Sequence, residues 1–388
     1  MSTLKTIYLQ HLNGSGTNAT LDANGNMTVT GTVCGASSNM FRNRIINGDM
    51  RIDQRYSGTA NTIALSTVSY VIDRWIGQNY TGTGTFTVQQ MNSANSSVSN
   101  YESGSAPSGF INSMKLTVGT ANTNPSSTNS SGLGQAIEGL NVLDLGWGTA
   151  SAKTVTLSFW AKSSITGQFA VVLYNVDGTR IYNSCITVTS TNTWQYYSIT
   201  VPGDTSGTWL TNNNTGIWFK IYLSLGSSYL TSSSAWNSSS YYGLTGQTNW
   251  MGNSGNTFYI TGVQLEAGTV ATPFEFRHYG AELALCQRYY YQTVPSTGHF
   301  MTVHYNGSGR VRGAFSIPVP MRAAPTLSFT GSLSFYVYNG SAISSTGSLA
   351  ASGLGAGNVS GYVDINVSSG TASDQYDLLA TLQVSAEL

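Results

Sequence analysis

Short apolar runs recur along most of the chain, and many of them alternate apolar with polar residues. The stretches TVTLSFW (154–160), QYYSITV (195–201) and FYITGVQL (258–265) are examples. Alternation with a period of two is typical of half-buried strands. Clusters of glycine, asparagine and serine separate the runs, as turns require. Many short strands without helices between them predict an all-β sandwich or barrel over this part of the chain.

A second group of apolar runs lies towards the C-terminus. It comprises GAFSIPVP (313–320), TLSFTGSLSFYVY (326–338), GYVDINV (361–367) and DLLATLQV (377–384). These runs predict a second, smaller β domain. Prolines at positions 318, 320 and 325 predict that one strand there lies at a sheet edge or ends early, because proline lacks the N–H that a ladder needs.

Between the two β regions, the stretch AELALCQRYY has a different period. Leu283, Cys286 and Tyr290 recur in it at i, i+3 and i+7, which is the spacing of one helical face. We therefore predict a short helix that joins two β domains. The predicted organisation is an N-terminal segment with a hairpin at Asn24-Gly25 (1–40), a sandwich (41–272), a linker with the short helix (273–292) and a C-terminal β domain (293–388).

Charged residues crowd into this linker, although they are rare elsewhere. Four of them are Glu275, Arg277, Glu282 and Arg288. An acid–base set without a pocket is weak evidence for catalysis. We predict instead that these charges pair within or between subunits, and that the helical stripe packs against neighbouring copies or against the sandwich.

The composition excludes several classes of partner. Only 8% of the 388 residues are charged and the formal net charge is zero, whereas an average soluble domain carries roughly 25% charged residues. A nucleic-acid-binding protein needs a basic face, and no run reaches the ~20 apolar residues of a membrane helix. Cys34, Cys185 and Cys286 are widely separated, which predicts free thiols and synthesis in a reducing cytoplasm. We expect neither nucleic-acid binding nor membrane insertion.

No catalytic constellation stands out in the sequence. Glycoside hydrolysis needs two carboxylates that face one sugar bond, and acidic residues are scarce. Asp177 and Asp204 lie beside turn residues, where Asp bonds its own backbone. Glu102, Glu138 and Asp144 flank glycine-rich segments, and the sequence leaves open whether they face one another. We expect a protein that is not an enzyme and that uses no cofactor.

A polar stretch with exposed aromatic residues is the best candidate for ligand binding. Residues 228–252 contain Trp236, Tyr241, Tyr242 and Trp250 among serines, asparagines and glutamine. Aromatic faces stack on the C–H groups of sugar rings, while amides and hydroxyls bond sugar hydroxyls. The alternative is that these aromatic residues cap the end of the sandwich or fill a subunit interface.

The order of motifs along the chain resembles two families. The motifs are FRNRIINGDMRIDQR, YVIDRWIG, VTLSFWAKSS, TNTWQYYSITVPGD and FYITGVQLEAG. Over roughly residues 41–270 they resemble β-jelly-roll carbohydrate-binding modules of the family 4, 9 and 22 type. The whole chain, with ATPFEFRHYGAELALCQRYYYQ and the closing AEL, resembles phage and prophage tail-fibre proteins, and its opening resembles cyanophage fibre proteins.

The resemblance implies a virion structural protein, assembled in the host cytoplasm, that forms a homotrimer on a tail or baseplate. Its N-terminus would dock on other virion proteins, and its distal domains would bind a host surface polysaccharide. One alternative is a purely structural baseplate, collar or capsid-decorating fibre without receptor binding. A more remote alternative is a polysaccharide depolymerase.

The resemblance also raises the question of a metal site. Jelly-roll modules of this type often hold calcium through acidic residues after an NGD-like segment and near the last strand. Residues 50–51 and 261–262 at those places are Met-Arg and Thr-Gly, and only Asp49 and Glu266 remain nearby as candidates. Since calcium takes six to eight oxygen ligands, we predict that the protein holds no metal.

Overall fold

The computed structural model describes residues 41–80, 82–293, 301–305, 310–337, 342–343, 348–354, 360–366 and 375–388, together with three short strands near the N-terminus. Those strands are β1 (Tyr8–Leu9), β2 (Ala19–Leu21) and β3 (Met27–Val29). They form a small antiparallel sheet. The β2–β3 pairing agrees with the predicted hairpin, although Asn24-Gly25 lies outside the described residues.

Fifteen strands follow in the first β domain: β4 (Asn61–Ile63), β5 (Thr67–Ile72), β6 (Trp75–Tyr80), β7 (Thr85–Asn92), β8 (Asn112–Thr120), β9 (Ser130–Glu138), β10 (Val155–Ser163), β11 (Gly167–Tyr174), β12 (Ile181–Val188), β13 (Gln195–Val201), β14 (Thr215–Leu225), β15 (Leu230–Thr231), β16 (Trp236–Asn237), β17 (Gly243–Leu244) and β18 (Thr257–Ala267). Four single turns of 3₁₀-helix lie between them, at Gly139–Asn141, Leu143–Leu145, Ser227–Tyr229 and Trp250–Gly252.

These strands form a jelly-roll sandwich of two antiparallel sheets. The six-stranded sheet has the order β13-β10-β18-β8-β7-β4, and the seven-stranded sheet has the order β16-β12-β11-β14-β9-β6-β5. Strands β15 and β17 form a separate parallel pair. Neighbours such as β10 and β18 are distant in sequence, which is why the sequence pattern alone does not predict the strand order.

The core lies between the two sheets and follows the period of two. In β14, Ile217, Phe219 and Ile221 are at most 1% exposed and face inward, while the residues between them face outward. Trp75 of β6 packs edge-on against Phe219, with 6.0 Å between ring centroids. Side chains at the outward positions of the seven-stranded sheet therefore form a separate surface outside this core.

The linker and C-terminal region contain helix α1 (Tyr279–Gln287) and β19 (Tyr290–Gln292), β20 (Met301–Tyr305), β21 (Arg310–Ser316), β22 (Thr326–Val337), β23 (Ala342–Ile343), β24 (Ser348–Leu354), β25 (Ser360–Asn366) and β26 (Gln375–Ser385). The C-terminal sheet has the order β23-β22-β26-β20-β21-β25-β24, and β19 also pairs with β26. The described part of the chain is thus all-β with one short α-helix. Strand β21 ends before Pro318 and β22 begins after Pro325, as the prolines predicted.

The predicted helical stripe needs one correction. Helix α1 ends at Gln287, and Tyr290 belongs to strand β19. Leu283 and Cys286 do lie on the helix, and they pack in a cluster with Ile46, Ile52, Tyr289, Leu285 and Leu388 (the base cluster). Tyr290 leaves the helix because its backbone pairs with Ser385 of β26.

Candidate functional site

The structure separates the four aromatic residues that the sequence grouped together. Trp250 is fully buried and packs edge-on against Phe86, with 5.9 Å between centroids. Trp236 packs with Trp147 and Trp209 at 5.4 and 5.6 Å between centroids. Trp250 is therefore a core residue and offers no face to a glycan, which corrects the predicted set. Trp236 joins a cluster of tryptophan rings with Trp147 and Trp209.

Tyr241 and Tyr242 are neighbours with different environments. Tyr241 is exposed, whereas Tyr242 is half-buried. The Tyr242 ring contacts Tyr174, Tyr222 and Tyr229, with centroid distances of 5.9, 5.5 and 5.4 Å. Of the four predicted residues, Tyr242 is the one that lines the cavity beside Tyr174, Tyr222 and Tyr229, which combines aromatic and polar groups.

That cavity is a cleft on the outer face of the seven-stranded sheet, with a volume of about 510 Å³. We call it the outer cleft. Five tyrosines, one lysine, one valine and three uncharged polar residues line it, namely Tyr80, Tyr174, Tyr222, Tyr229, Tyr242, Lys220, Val68, Gln78, Thr128 and Ser130. A surface that combines several aromatic rings with a few polar groups is typical of a small-ligand or glycan site.

The strand register explains why a cleft forms here. On β9, Gly132 lies between Tyr222 of β14 and Gln78 of β6. Gly134 lies next to Lys220, and a Cβ on this glycine would approach the Lys220 Cγ atom to 2.7 Å. Because two glycines occupy outward positions of the central strand, the floor of the sheet has no side chains there. Larger side chains on the flanking strands then form the walls.

Lys220 is the charged residue of the outer cleft. It is 7% exposed, and its Nζ donates a hydrogen bond to Oε1 of Gln78. Its Nζ lies 5.0 Å from the centroid of the Trp218 ring and 5.8 Å from that of Tyr174. Burial lowers the pKa of Lys220 to about 8. The ammonium form therefore predominates at neutral pH.

The hydroxyls of Tyr222, Tyr174 and Tyr242 in the outer cleft are neutral donors and acceptors. Burial raises the pKa of Tyr222 and of Tyr174 well above the usual value, and it also raises the pKa of Tyr242. Each hydroxyl keeps its proton throughout the physiological range, so it can both donate to and accept from a ligand hydroxyl.

The linker charges pair within one chain. Arg277 lies 3.2 Å from Glu282, and Glu275 accepts a 2.9 Å hydrogen bond from the backbone N–H of Asn43. Glu282 also accepts a hydrogen bond from the backbone N–H of Asn47. The sequence left open whether these charges pair within or between subunits. The contacts seen here lie within one chain, and they connect the linker to the first segment of the sandwich.

Arg288 and the helical stripe also contact the sandwich. Nη2 of Arg288 donates to Glu138 of β9 at 2.6 Å, and the Tyr289 hydroxyl donates to the same carboxylate at 2.5 Å. Leu283 and Cys286 belong to the base cluster. Helix α1 therefore packs against the sandwich, which is one of the two positions that the sequence predicted.

The three carboxylates that the sequence left open each have a separate cation. Glu138 pairs with Arg288, Asp144 with Arg44 at 2.7 Å and Glu102 with Lys115 at 2.5 Å. In each case the carboxylate is bound by a neighbouring cation, and no two of these three acids share a partner. Their arrangement fits ion pairs that fasten neighbouring elements.

The two calcium candidates are likewise held by other side chains. Asp49 forms an ion pair with Arg51. Glu266 accepts hydrogen bonds from the Thr272 hydroxyl at 2.7 Å and from the Gln264 amide at 2.8 Å. Guanidinium and amide donors on these oxygens do not fit a calcium site, and the described residues contain no cluster of three metal-ligating side chains.

We predict that removal of divalent cations leaves stability unchanged. Asp49 and Glu266 already have donors for their oxygens, so a chelator has no structural ion to withdraw from them. Thermal unfolding with EDTA and with added calcium should give the same melting temperature. A decrease of many degrees in EDTA would instead indicate a structural metal ion.

The described part of the chain contains no helix with the length and apolar character that crossing a membrane requires. No protein-family model matches the chain, and no curated protein matches it.

Several solved structures share a limited likeness with this chain. The tailspike protein 4 enzymatically active domain of bacteriophage CBA120 is 12% identical with a TM-score of 0.30, over 58% of this chain and 22% of that chain. The family 11 carbohydrate-binding module of the cellulase Lic26A-Cel5E of Clostridium thermocellum is 16% identical with a TM-score of 0.24, over 56% of this chain and 100% of that one. A cyclase from Fischerella sp. TAU is 13% identical with a TM-score of 0.30, over 55% and 100%. Values this low assign no function to the chain.

Proposed function

We propose that this protein binds a carbohydrate in the outer cleft. The observation that carries the proposal is the composition of the cleft, in which tyrosine rings stand beside uncharged hydrogen-bonding groups over a glycine floor. Sugar rings present apolar C–H faces and polar hydroxyl edges. A wall of aromatic rings binds the first, and amide or hydroxyl groups bind the second.

The residues of the outer cleft divide between these two tasks. Tyr80 is 43% exposed at the end of β6 and offers its ring to a sugar at one wall. Tyr229 and Tyr242 contact each other at the opposite wall. Gln78 and Ser130 are linked by a 3.0 Å hydrogen bond, and both can bond sugar hydroxyls from beside the glycine floor.

We further propose that binding is not followed by chemistry. Hydrolysis of a glycosidic bond needs two carboxyl groups on either side of it, whereas the ten residues that line the outer cleft include no acid. Elsewhere in the described chain, Glu102, Glu138 and Asp144 are bound by cations. A lectin-like role, in which a neutral cleft retains its ligand, agrees with these contacts.

The biological setting that we propose is a phage particle, in which the chain is a trimeric tail or baseplate fibre that attaches to host polysaccharide. Support for this setting comes from the order of sequence motifs alone. The alternative is a purely structural fibre, in which the outer cleft would have no binding role. The two roles differ in whether the purified chain binds glycan.

Replacing Tyr80 with alanine should weaken glycan binding about 10-fold to 30-fold, as expected for the loss of an aromatic anchor. The comparison uses a glycan array to find a ligand and titration calorimetry to measure its affinity. Tyr241→Ala is the matched control, because Tyr241 is similarly exposed at 36% but does not line the cleft. The control should bind like the wild type.

Two results would contradict the proposal. One is that the array yields no ligand for the folded wild-type chain. The other is that Tyr241→Ala loses affinity while Tyr80→Ala keeps it, which would move the binding site to the exposed loop.

A further inference from the structure

Lys220 differs from the other buried cations of this protein. Arg74, which is 1% exposed, pairs with Glu387, and Arg277 pairs with Glu282. Among the described residues, no carboxylate pairs with Lys220, and its Nζ donates a hydrogen bond to the neutral Gln78 amide. A lysine residue that is more than nine-tenths buried thus lines an open cleft without a counter-charge among the described residues.

Burying an unpaired ammonium group is costly, because the group loses its hydration without gaining a counter-ion. The faces of nearby rings offset part of this cost, and Trp218 and Tyr174 lie within 6 Å of the Lys220 Nζ. A methionine at this position would fill the same space without the charge. The charge on Lys220 is therefore better explained by an interaction with a ligand that enters the outer cleft.

We propose that the occupant of the outer cleft is an acidic glycan whose carboxylate or sulfate group pairs with the Nζ of Lys220. This inference rests on the proposed glycan binding and specifies its ligand class. An anion at this point would supply the missing counter-charge, and a charge-assisted hydrogen bond is stronger than one between neutral groups. Neutral sugars would bind the same rings but would not form the charge-assisted hydrogen bond to Lys220.

The other groups that face Lys220 leave its charge unopposed over the useful pH range. On its own strand it is flanked by Trp218 and Tyr222, and Tyr174 faces it from β11. Gln78 faces it from β6. The tyrosines have pKa values raised by burial, so between pH 6 and 9 the titration at this site is that of Lys220 itself.

The test compares polymers that differ in charge and share a backbone. Polygalacturonate is compared with its carboxyl-reduced product, and dextran sulfate with dextran, by calorimetry on the intact chain. We expect one of the two anionic polymers to bind about 10-fold to 100-fold more tightly than its neutral counterpart, the range for a hydrogen bond to a charged group. The pair that shows the preference tells whether the group is a carboxylate or a sulfate.

Two lysine variants separate a specific pair from general attraction of polyanions. Lys220→Met should lose the preference for the charged polymer, while Lys220→Arg should retain most of it. Lys162→Met is the matched control. Lys162 also lies over an aromatic ring, 4.0 Å from the Tyr259 centroid, but it is on the six-stranded sheet. This control should keep the wild-type preference.

The same pair predicts a pH dependence. Burial lowers the pKa of Lys220 to about 8, so the unbound chain loses this charge as the pH rises through that value. Affinity for the anionic polymer should fall between pH 7 and 9, and affinity for the neutral polymer should not change. In Lys220→Met, both affinities should be independent of pH over this range.

The outcomes distinguish glycan binding in general from binding of an acidic glycan. If charged and neutral polymers bind alike in the outer cleft, or if Lys220→Met keeps the preference, the acidic ligand is refuted and glycan binding stands. If the folded wild type binds neither these polymers nor any glycan on an array, both proposals fail. The polymer pairs and the pH series use the wild type, so they decide the question even if Lys220→Met does not fold.

Discussion

Replacing Glu387 with alanine is expected to destabilise the folded chain by about 3–5 kcal/mol, the usual result of breaking a buried ion pair from one side. Glu387 pairs with Arg74, which is 1% exposed, and with Arg55 at 2.7 Å. Without the carboxylate, the guanidinium of Arg74 would remain buried as an unpaired charge. The measurement is denaturant unfolding of the intact protein, with the midpoint compared between variant and wild type.

The surroundings of Arg74 explain why the effect should be so large. Its guanidinium lies 3.6 Å from the centroid of the Tyr289 ring, and its Nη2 donates to the backbone oxygen of Ala136 at 2.6 Å. Burial opposes the charge of Arg74, but Glu387 acting together with Tyr289, Tyr70 and Cys286 outweighs burial, and the pKa of Arg74 is raised. The C-terminal residues therefore hold the strand turn at Arg74 against the linker.

An exposed pair provides the control for this prediction. Asp144 pairs with Arg44 at 2.7 Å, and the Asp144 side chain is 49% exposed. Asp144→Ala should cost less than about 1 kcal/mol, because water screens such pairs. If Glu387→Ala were as mild as Asp144→Ala, the buried network would contribute little to joining the two β domains.

The alternation of apolar and polar residues predicted the class of fold because each strand carries that information locally. The runs at 154–160 and 195–201 became β10 and β13. Strand order depends on contacts between distant segments, such as β10 with β18, and a local pattern does not contain them. The end of α1 was misplaced for the same reason, since Tyr290 follows its partner Ser385 into a sheet.

The site was harder to predict than the fold, because its residues come from strands that meet only in three dimensions. The sequence predicted a binding site at four aromatic residues of one polar stretch. In the structure Trp250 is buried, and of the four only Tyr242 lines the outer cleft. The signals that mattered were outward tyrosines on strands and two glycines, Gly132 and Gly134. A glycine in a strand can indicate that another group comes close to the backbone. Here the two glycines form the floor of the outer cleft, because they carry no side chains to fill it.

Asn47→Ala should be the second strongly destabilising substitution, with an expected loss of about 3–5 kcal/mol when several buried partners lose their hydrogen bonds. Asn47 is fully buried, and its Nδ2 donates to the backbone oxygens of Ile52 and Asp73 at 2.8 and 3.0 Å. Its Oδ1 accepts from the Ile52 N–H at 3.0 Å. One side chain thus satisfies three backbone groups, and alanine would leave them without a partner in the interior. Thermal and urea unfolding measure the loss.

The backbone of Asn47 allows the two causes to be separated. Its φ is 57°, a left-handed conformation that asparagine tolerates and that costs alanine about 1–2 kcal/mol. Asn47→Gly removes the same three hydrogen bonds but accepts this conformation without strain. The glycine variant should therefore be more stable than the alanine variant by about 1–2 kcal/mol, and it should still be much less stable than the wild type. If the glycine variant were as stable as the wild type, backbone conformation alone would explain why asparagine is needed at this position. The three hydrogen bonds of its side chain to Ile52 and Asp73 would then contribute little to stability.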